Sequence, residues 1–262
     1  MTGIDARIRE YYEKGGETDR LTAHARGRLE FARTQELVRR HLPEGPARIA
    51  DVGGGTGVHA GWLAADGHDV TLVDPVERHV EAASALDGVT AVLGDARKLE
   101  LDDDAVDVVL LLGPLYHLTE RADRVRALAE ARRVARRRVM AATINRPSLW
   151  WNRFRSDIKS RPMTVEESVR VLDDGVLDLH ERGIFTRSFL HWPAEIAAES
   201  AEAGLEVAGQ FMIEGMLYEH ERLQEVWDSP AERESMLAMV RSVESEPTLL
   251  SCGPHLLTVA DV

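Results

Sequence analysis

Apolar positions fall into short blocks whose period alternates along the chain. Compact aliphatic runs at 48–52, 69–73, 89–93, 105–112, 138–144, 205–213 and 255–262 read as strands. Between them the spacing becomes helical. Val58, Trp62 and Ala65 share one face of a helix that Gly67 closes, and Glu77 to Leu86 forms the next. Glu120 to Ala135 reads as a helix burying Ala122, Val125, Leu128 and Ala129. Pro193 to Ala203 is another, stopped by Gly204. The run at 105–112 is apolar apart from Asp107, as expected for a central parallel strand covered on both faces. Alternating strands and helices predict an α/β fold, a doubly wound, mostly parallel sheet of seven strands.

Three stretches do not fit that alternation. Residues 1–42 read as helical, with one stripe of Ile4, Ile8, Tyr11 and Tyr12 and another of Phe31, Val38 and Leu42, before Pro43-Glu44-Gly45-Pro46 ends the segment. Residues 145–191 look inserted: Ser148 caps a short helix carrying Trp150, Trp151 and Phe154, and Thr164-Val165-Glu166-Glu167 is a capping box opening a helix that Gly175 stops. Residues 214–252 separate the last two strands by far more than a hairpin needs. There Ser229-Pro230-Ala231-Glu232 reads as a second capping box, followed by an apolar face of Met236, Leu237, Val240 and Val243. The division expected is 1–45 as a helical lid, 46–144 and 192–262 as the core, and 145–191 with 214–252 as cap insertions.

Charge and composition narrow the partners. The 262-residue chain has a formal net charge of −13, which suits neither phosphate backbones nor anionic membranes. The one cysteine, Cys252, rules out an intrachain disulfide or a Cys-rich zinc site. No stretch has the pattern of a signal peptide or the length of a membrane span, so a cytoplasmic protein is expected. Asp102-Asp103-Asp104 reads as a solvated turn rather than a metal cluster, and no metal is expected. Arg132, Arg133, Arg136, Arg137 and Arg138 form either a solvated face complementing a helix dipole or a phosphate-binding patch.

The chemistry gathers at Asp51-Val52-Gly53-Gly54-Gly55-Thr56-Gly57, between the first strand and the helix from Val58. Glycines there let the backbone approach a ligand, and amides of the turn and the helix N-terminus point at it. Asp74 ends the second strand 21 residues after Gly53, the distance at which an acid accepts hydrogen bonds from ribose hydroxyls; its alternative is a solvated turn acid before Pro75. The glycine spacing is G-x-G-x-G, unlike the dinucleotide fingerprint, and Asp51 precedes it. Here the chain resembles the class I S-adenosylmethionine (SAM) dependent methyltransferases. Gly113-Pro114-Leu115-Tyr116-His117-Leu118, after the fourth strand, closely resembles a bacterial subgroup acting on small molecules.

The resemblance implies a Rossmann-like core with an antiparallel last strand, a helical cap and SAM as cofactor. It implies a cofactor site from Asp51, Gly53, Gly54, Gly55, Asp74, Pro75, Gly94, Asp95, Ala96, Leu112 and Gly113, with Tyr12 as part of a lid. Asp95 matches the acid that binds the adenine amino group. The acceptor side would be Tyr11, Tyr116, His117, Trp151 and His191. The tyrosines at 11 and 12, and the aromatics at 150–154, equally suit packing. His117 is the candidate general base; the alternative is a structural or cofactor-contacting residue. The turn after strand four lacks the N/D-P-P-Y/F of amide-type DNA methylases and the carboxylate of magnesium-dependent catechol-type enzymes.

The function expected is methyl transfer from SAM to an oxygen, nitrogen or carbon of a small molecule. A SAM-dependent cyclase or decarboxylase, and a non-catalytic SAM-binding protein, are the alternatives. An NAD dehydrogenase is disfavoured by the glycine spacing. A homodimer is compatible with the sequence.

Overall fold

The structure, a computed structural model, describes residues 20–149, 163–179, 182 and 186–262. Tyr11, Tyr12 and Trp151, and with them Trp150 and Phe154, lie outside the described residues.

Seven strands form one sheet: β1 (Arg48–Val52), β2 (Asp69–Asp74), β3 (Val89–Leu93), β4 (Val106–Leu111), β5 (Ala135–Ile144), β8 (Glu206–Met212) and β9 (His255–Asp261). Their order is β3-β2-β1-β4-β5-β9-β8. Strands β1 to β5 run parallel, and β9 runs antiparallel to both its neighbours. The expected fold is therefore the observed one, including the antiparallel last strand. A separate two-stranded ribbon joins β6 (Val176–Leu177) to β7 (Ser188–Phe189).

Helices cover both faces. Strand β4 shows why: Val106, Val109 and Leu111 enter one buried cluster, and Val108 and Leu110 enter the other. The first cluster is closed by α6 (Arg121–Val134) and α8 (Pro193–Glu202). The second is closed by α2 (Ala25–His41), α3 (Val58–Ala65) and α4 (Glu77–Ala83). Each fully buried Leu or Val contributes about 1.5–3 kcal/mol, so a strand covered twice anchors the sheet.

Buried arginines displaced two of the expected helix faces. Helix α6 buries Arg124, Ala127, Leu128, Ala131 and Val134, while Ala122 and Ala129 are exposed. Arg124 is tolerated inside because Glu199 of α8 pairs with it at 2.7 Å and the Phe189 ring lies 3.5 Å from its guanidinium carbon. Helix α2 buries Leu29, Arg33, Leu37 and Val38, leaving Phe31 and Leu42 half-buried. Arg33 donates to the Ile213 carbonyl at 3.0 Å and pairs with Glu244. A short helix α1 (Arg20–Ala23) precedes α2, and a Cβ on Gly27 would lie 2.0 Å from the Arg20 carbonyl oxygen, so only glycine permits that contact. The α3 face also differs: Ala60 and Leu63 are buried, Ala65 is exposed, and Trp62 sits under the Arg39 guanidinium.

The Thr164 capping box forms on α7 (Val165–Asp174), and Gly175 ends it with φ +78°. The one expected at Ser229 does not. The Ser229 amide is already donated to Glu225 and Val226, closing α9 (Leu223–Asp228), so Glu232 finds no free amide. Pro230 still opens α10 (Pro230–Val243). Helix α6 passes directly into β5 at Ala135, and no separate turn occupies 135–137.

The arginines near that junction are not a phosphate patch. Arg133 holds the Leu99 and Leu101 carbonyls and Asp103. Arg132 and Arg136 each donate to a backbone carbonyl, and Arg138 pairs with Asp261. Leu217, Leu223, Leu237 and Val240, from the 214–252 interruption, pack on Ala25 and Leu29. No helix among the described residues is long and apolar enough to cross a membrane.

Candidate functional site

The carboxyl ends of the parallel strands open onto one cavity of about 1070 Å³ including its mouth. Its wall begins at the first β-strand. Asp51 is the penultimate residue of β1, and Gly53, Gly54, Gly55, Thr56, Val58 and His59 follow it around the cavity. The Gly53 amide donates to the Val73 carbonyl at 2.7 Å, pinning the turn to β2. A Cβ on Gly54 would stand 2.7 Å from Asp51 Oδ2 and from a Leu72 methyl. Gly55, at φ +58°, would project its Cβ into open space. The turn is thus packed tightly behind and bare in front, which is the shape of a ligand cradle.

Asp51 is buried at 1% exposure, and neither carboxylate oxygen has a hydrogen-bond partner among the described residues. Burial, then the Asp74 charge, pushes its pKa up to about 7, against a weaker pull from the Ala60 amide. Such an orphaned acid calls for a ligand that donates to it or is cationic.

Asp74 ends β2 beneath the turn. It accepts from the Gly55 amide and the Val76 amide, each at 2.9 Å, and meets His79 Nδ1 at 3.0 Å. It shapes the cradle, and His79 rather than Asp74 reaches the cavity wall. Pro75 continues from it, half-buried. The Gly94 amide donates to the Asp74 carbonyl, joining the turns after β2 and β3. Asp95 is turned onto Arg97, whose Nε and Nη2 lie 2.9 and 2.6 Å away. Burial would raise the Asp95 pKa, but the Arg97 contacts hold it below the usual carboxylate value. Ala96 and Leu99 are buried beside it. Asp95 is not part of the main cavity wall.

Leu112, Gly113 and Tyr116 follow β4 onto the wall. His117 ends α5 (Pro114–His117), half-buried behind Tyr116, with ring centroids 4.5 Å apart. Its Nδ1 lies 3.2 Å from Thr186 Oγ1. Burial pushes its pKa down to about 4, against a pull from Asp74. His117 is therefore neutral near pH 7 and a weaker base than a free imidazole, and it is not on the main cavity wall. His191 does not reach the cavity. It is fully buried, with Nε2 3.2 Å from Glu199 Oε2, and its backbone bridges Ile144 and Arg146.

Residues that sequence reasoning missed form the opposite wall: Arg20, Glu30, Thr34, Thr143, Ile213 and His255, with Glu214 behind. Arg20 holds both Glu30 oxygens, at 2.5 and 2.7 Å. His255 Nδ1 lies 2.5 Å from Glu214 Oε1 and 3.9 Å from Glu30 Oε2. Burial would lower the His255 pKa, but Glu214 and then Glu30 outweigh it and push it up to about 9. A usable signal existed: an antiparallel last strand starts at the edge where the parallel strands end, so its first residue, His255, faces the site.

The order of strands, the glycine cradle and the orphaned acid define a Rossmann-like fold of the class I SAM-dependent methyltransferase type. Residues 49–138 match the methyltransferase domain family, so the chain carries a methyltransferase domain over that span. The uncharacterized methyltransferase Rv3342 of Mycobacterium tuberculosis is 36% identical over 115 residues, covering 44% of this chain and 45% of that protein. The match thus spans less than half the length of that relative. The PH0226 protein of Pyrococcus horikoshii shares the fold at a TM-score of 0.63 and 16% identity, over 96% of this chain and 98% of that one. A SAM-dependent methyltransferase from Mesorhizobium loti does so at 0.60 and 19% identity, over 89% and 100%.

Proposed function

We propose that the protein transfers the methyl group of SAM to a small-molecule acceptor. The observation that carries this reading is the bare glycine cradle facing a buried, unpartnered Asp51. An orphaned acid beside an open turn fits a cationic, hydrogen-bond-donating cofactor. In this reading Asp51, Gly53, Gly54 and Gly55 hold its polar end. Asp74, Pro75, Gly94, Asp95 and Ala96 flank the adenosine, and Leu112 and Gly113 border the reacting end. Asp95 would have to share its carboxylate between Arg97 and the adenine amino group. Tyr116 belongs to the acceptor side, and residues 1–45, 145–191 and 214–252 make the cap.

Bound SAM supplies an electrophilic methyl on a sulfonium whose leaving group is neutral. The chain's contributions are then alignment of the acceptor and exclusion of water. An acceptor held under a cap, and a net charge of −13, favour a small molecule over nucleic acid.

The test is titration calorimetry with SAM, S-adenosylhomocysteine and NAD, followed by incubation with methyl-labelled SAM and pooled metabolites. SAM and S-adenosylhomocysteine should bind, and label should appear in a product. NAD binding without SAM binding would sink the reading. SAM binding with turnover but no S-adenosylhomocysteine would point instead to a cyclase or decarboxylase.

A further inference from the structure

The far end of the cavity is built from groups that the cofactor does not need. Strand β9 pairs with β5 so that His255 lies opposite Ile144, next to Thr143 and Ala142 on the cavity wall. The turns assigned to adenosine follow β2 and β3, at the other end of the strand order. The β5–β9 end is therefore the acceptor's. There Glu214, fully buried, takes His255 Nδ1 and fixes the ring, leaving Nε2 with no hydrogen-bond partner among the described residues. Independently, Thr143 Oγ1 on the same wall is buried at 1% exposure and also lacks a partner. Two polar groups at one end of a cavity await a ligand that both donates and accepts.

We propose that His255, held as an imidazolium by Glu214 and Glu30, binds the acceptor as its oxyanion, and that the acceptor is a small molecule with an acidic hydroxyl, a phenol or an enol, held between His255 and Thr143. This rests on the methyltransferase reading. The hydroxyl proton leaves to solvent as the oxyanion pairs with the Nε2–H, and an oxygen lone pair forms the new O–CH3 bond. The electrons of the broken S–CH3 bond stay on sulfur, and the imidazolium keeps its proton for the next acceptor.

The surroundings select that chemistry. The charged and titratable groups facing His255 are Glu214 from the segment after β8, and Glu30 of α2 with Arg20 of α1 behind it; His59 of α3 stands beside Glu30. With the imidazole pushed up to about 9, it is protonated near neutrality, and its Nε2–H favours a bound phenolate over the phenol, whose free pKa is about 10. An aliphatic alcohol is too weak an acid to be held as its anion here, and an ammonium group would face Arg20 and the imidazolium. Glu30, Glu214 and His255 also offer ligand atoms within 4.8 Å of one another, the spacing of a cation site. Arg20 already neutralises Glu30, and the Nδ1 proton already satisfies Glu214, so the cluster holds a proton rather than a metal.

The test uses 4-nitrophenol, whose phenolate absorbs in the visible, titrated into protein saturated with S-adenosylhomocysteine. Wild type should bind it and show phenolate at a pH where the free compound is protonated. His255→Gln should abolish that signal while S-adenosylhomocysteine affinity stays within about twofold. Glu30→Gln, which keeps the imidazole, should weaken the signal without removing it, and it decides the matter if the His255 variant does not fold. Normal S-adenosylhomocysteine binding without a phenolate signal in wild type, or an unchanged signal in either variant, overturns the proposal alone. Failure of wild type to bind S-adenosylhomocysteine overturns the methyltransferase reading, and the proposal with it.

Discussion

Asp51→Asn should stabilise the ligand-free protein at alkaline pH and leave it unchanged or less stable at acid pH. The Asp51 carboxyl is pushed from 3.8 to about 7 by burial and by Asp74. A raised acid pKa means the folded chain keeps a proton that the unfolded chain has released. Stability is therefore lost as pH rises through the window from about 4 to 7. A shift of roughly three units corresponds to about 4 kcal/mol above that window and about 2 kcal/mol at pH 5. Asparagine removes that charge but leaves amide atoms unpaired, at about 1–3 kcal/mol at any pH. The net change at pH 8 is a gain of about 1–3 kcal/mol, near neutral or negative at pH 5. Urea unfolding of both proteins at the two pH values reads the difference, roughly 2–3 kcal/mol. If the gap between variant and wild type is the same at pH 5 and pH 8, the carboxylate is not the source of strain. The same substitution should weaken SAM, because the acid held without a partner is the one the cationic cofactor would relieve.

The other expectations concern the remaining acids and the buried ion pair. Asp74→Ala should weaken SAM by about 1.5–3 kcal/mol in calorimetry, since a buried charged acceptor and the brace on the Gly55 amide both go; unchanged affinity removes Asp74 from the site. His117→Gln should leave the pH dependence of single-turnover rates unaltered between pH 6 and 8, because burial keeps that imidazole neutral there; loss of a limb near pH 6.5 would restore His117 as the base. Arg124→Met strands Glu199 at 2% exposure without its guanidinium, and should cost about 3–5 kcal/mol in urea unfolding. A loss well below 1 kcal/mol would mean that His191 alone satisfies Glu199.

Much of this molecule is written in local pattern. The run from Val108 to Leu111 is apolar because both its faces are covered, and that is visible in four letters. The glycine turn is legible because close backbone approach demands glycine, whereas Asp74, expected from its distance to face ribose, braces the Gly55 and Val76 amides. Helix faces were less readable wherever a charge goes inside. Arg124 and Arg33 count as polar in any periodicity, yet they are buried because Glu199 and Glu244, 75 and 211 residues away, meet them. Ser229 failed as a cap for a related reason: its amide belongs to the helix before it, which no four-residue signature records.

The cavity wall around His255 was illegible for the deepest of these reasons. Arg20, Glu30, Glu214 and His255 are separated by up to 235 positions and share no spacing. What unites them is topology. The interruption after β8 packs Leu217, Leu223 and Leu237 on α2, which carries Glu30, and the chain returns as β9, whose first residue is His255. A segment that reads as an insertion of uncertain purpose thus carries Glu214 at its start and delivers the imidazole at its end. His117 attracted attention because it stands beside a recognisable motif, but its surroundings lower its pKa, whereas those of His255 raise it. A histidine's chemistry is set by the charges packed around it, and those charges are placed by the fold.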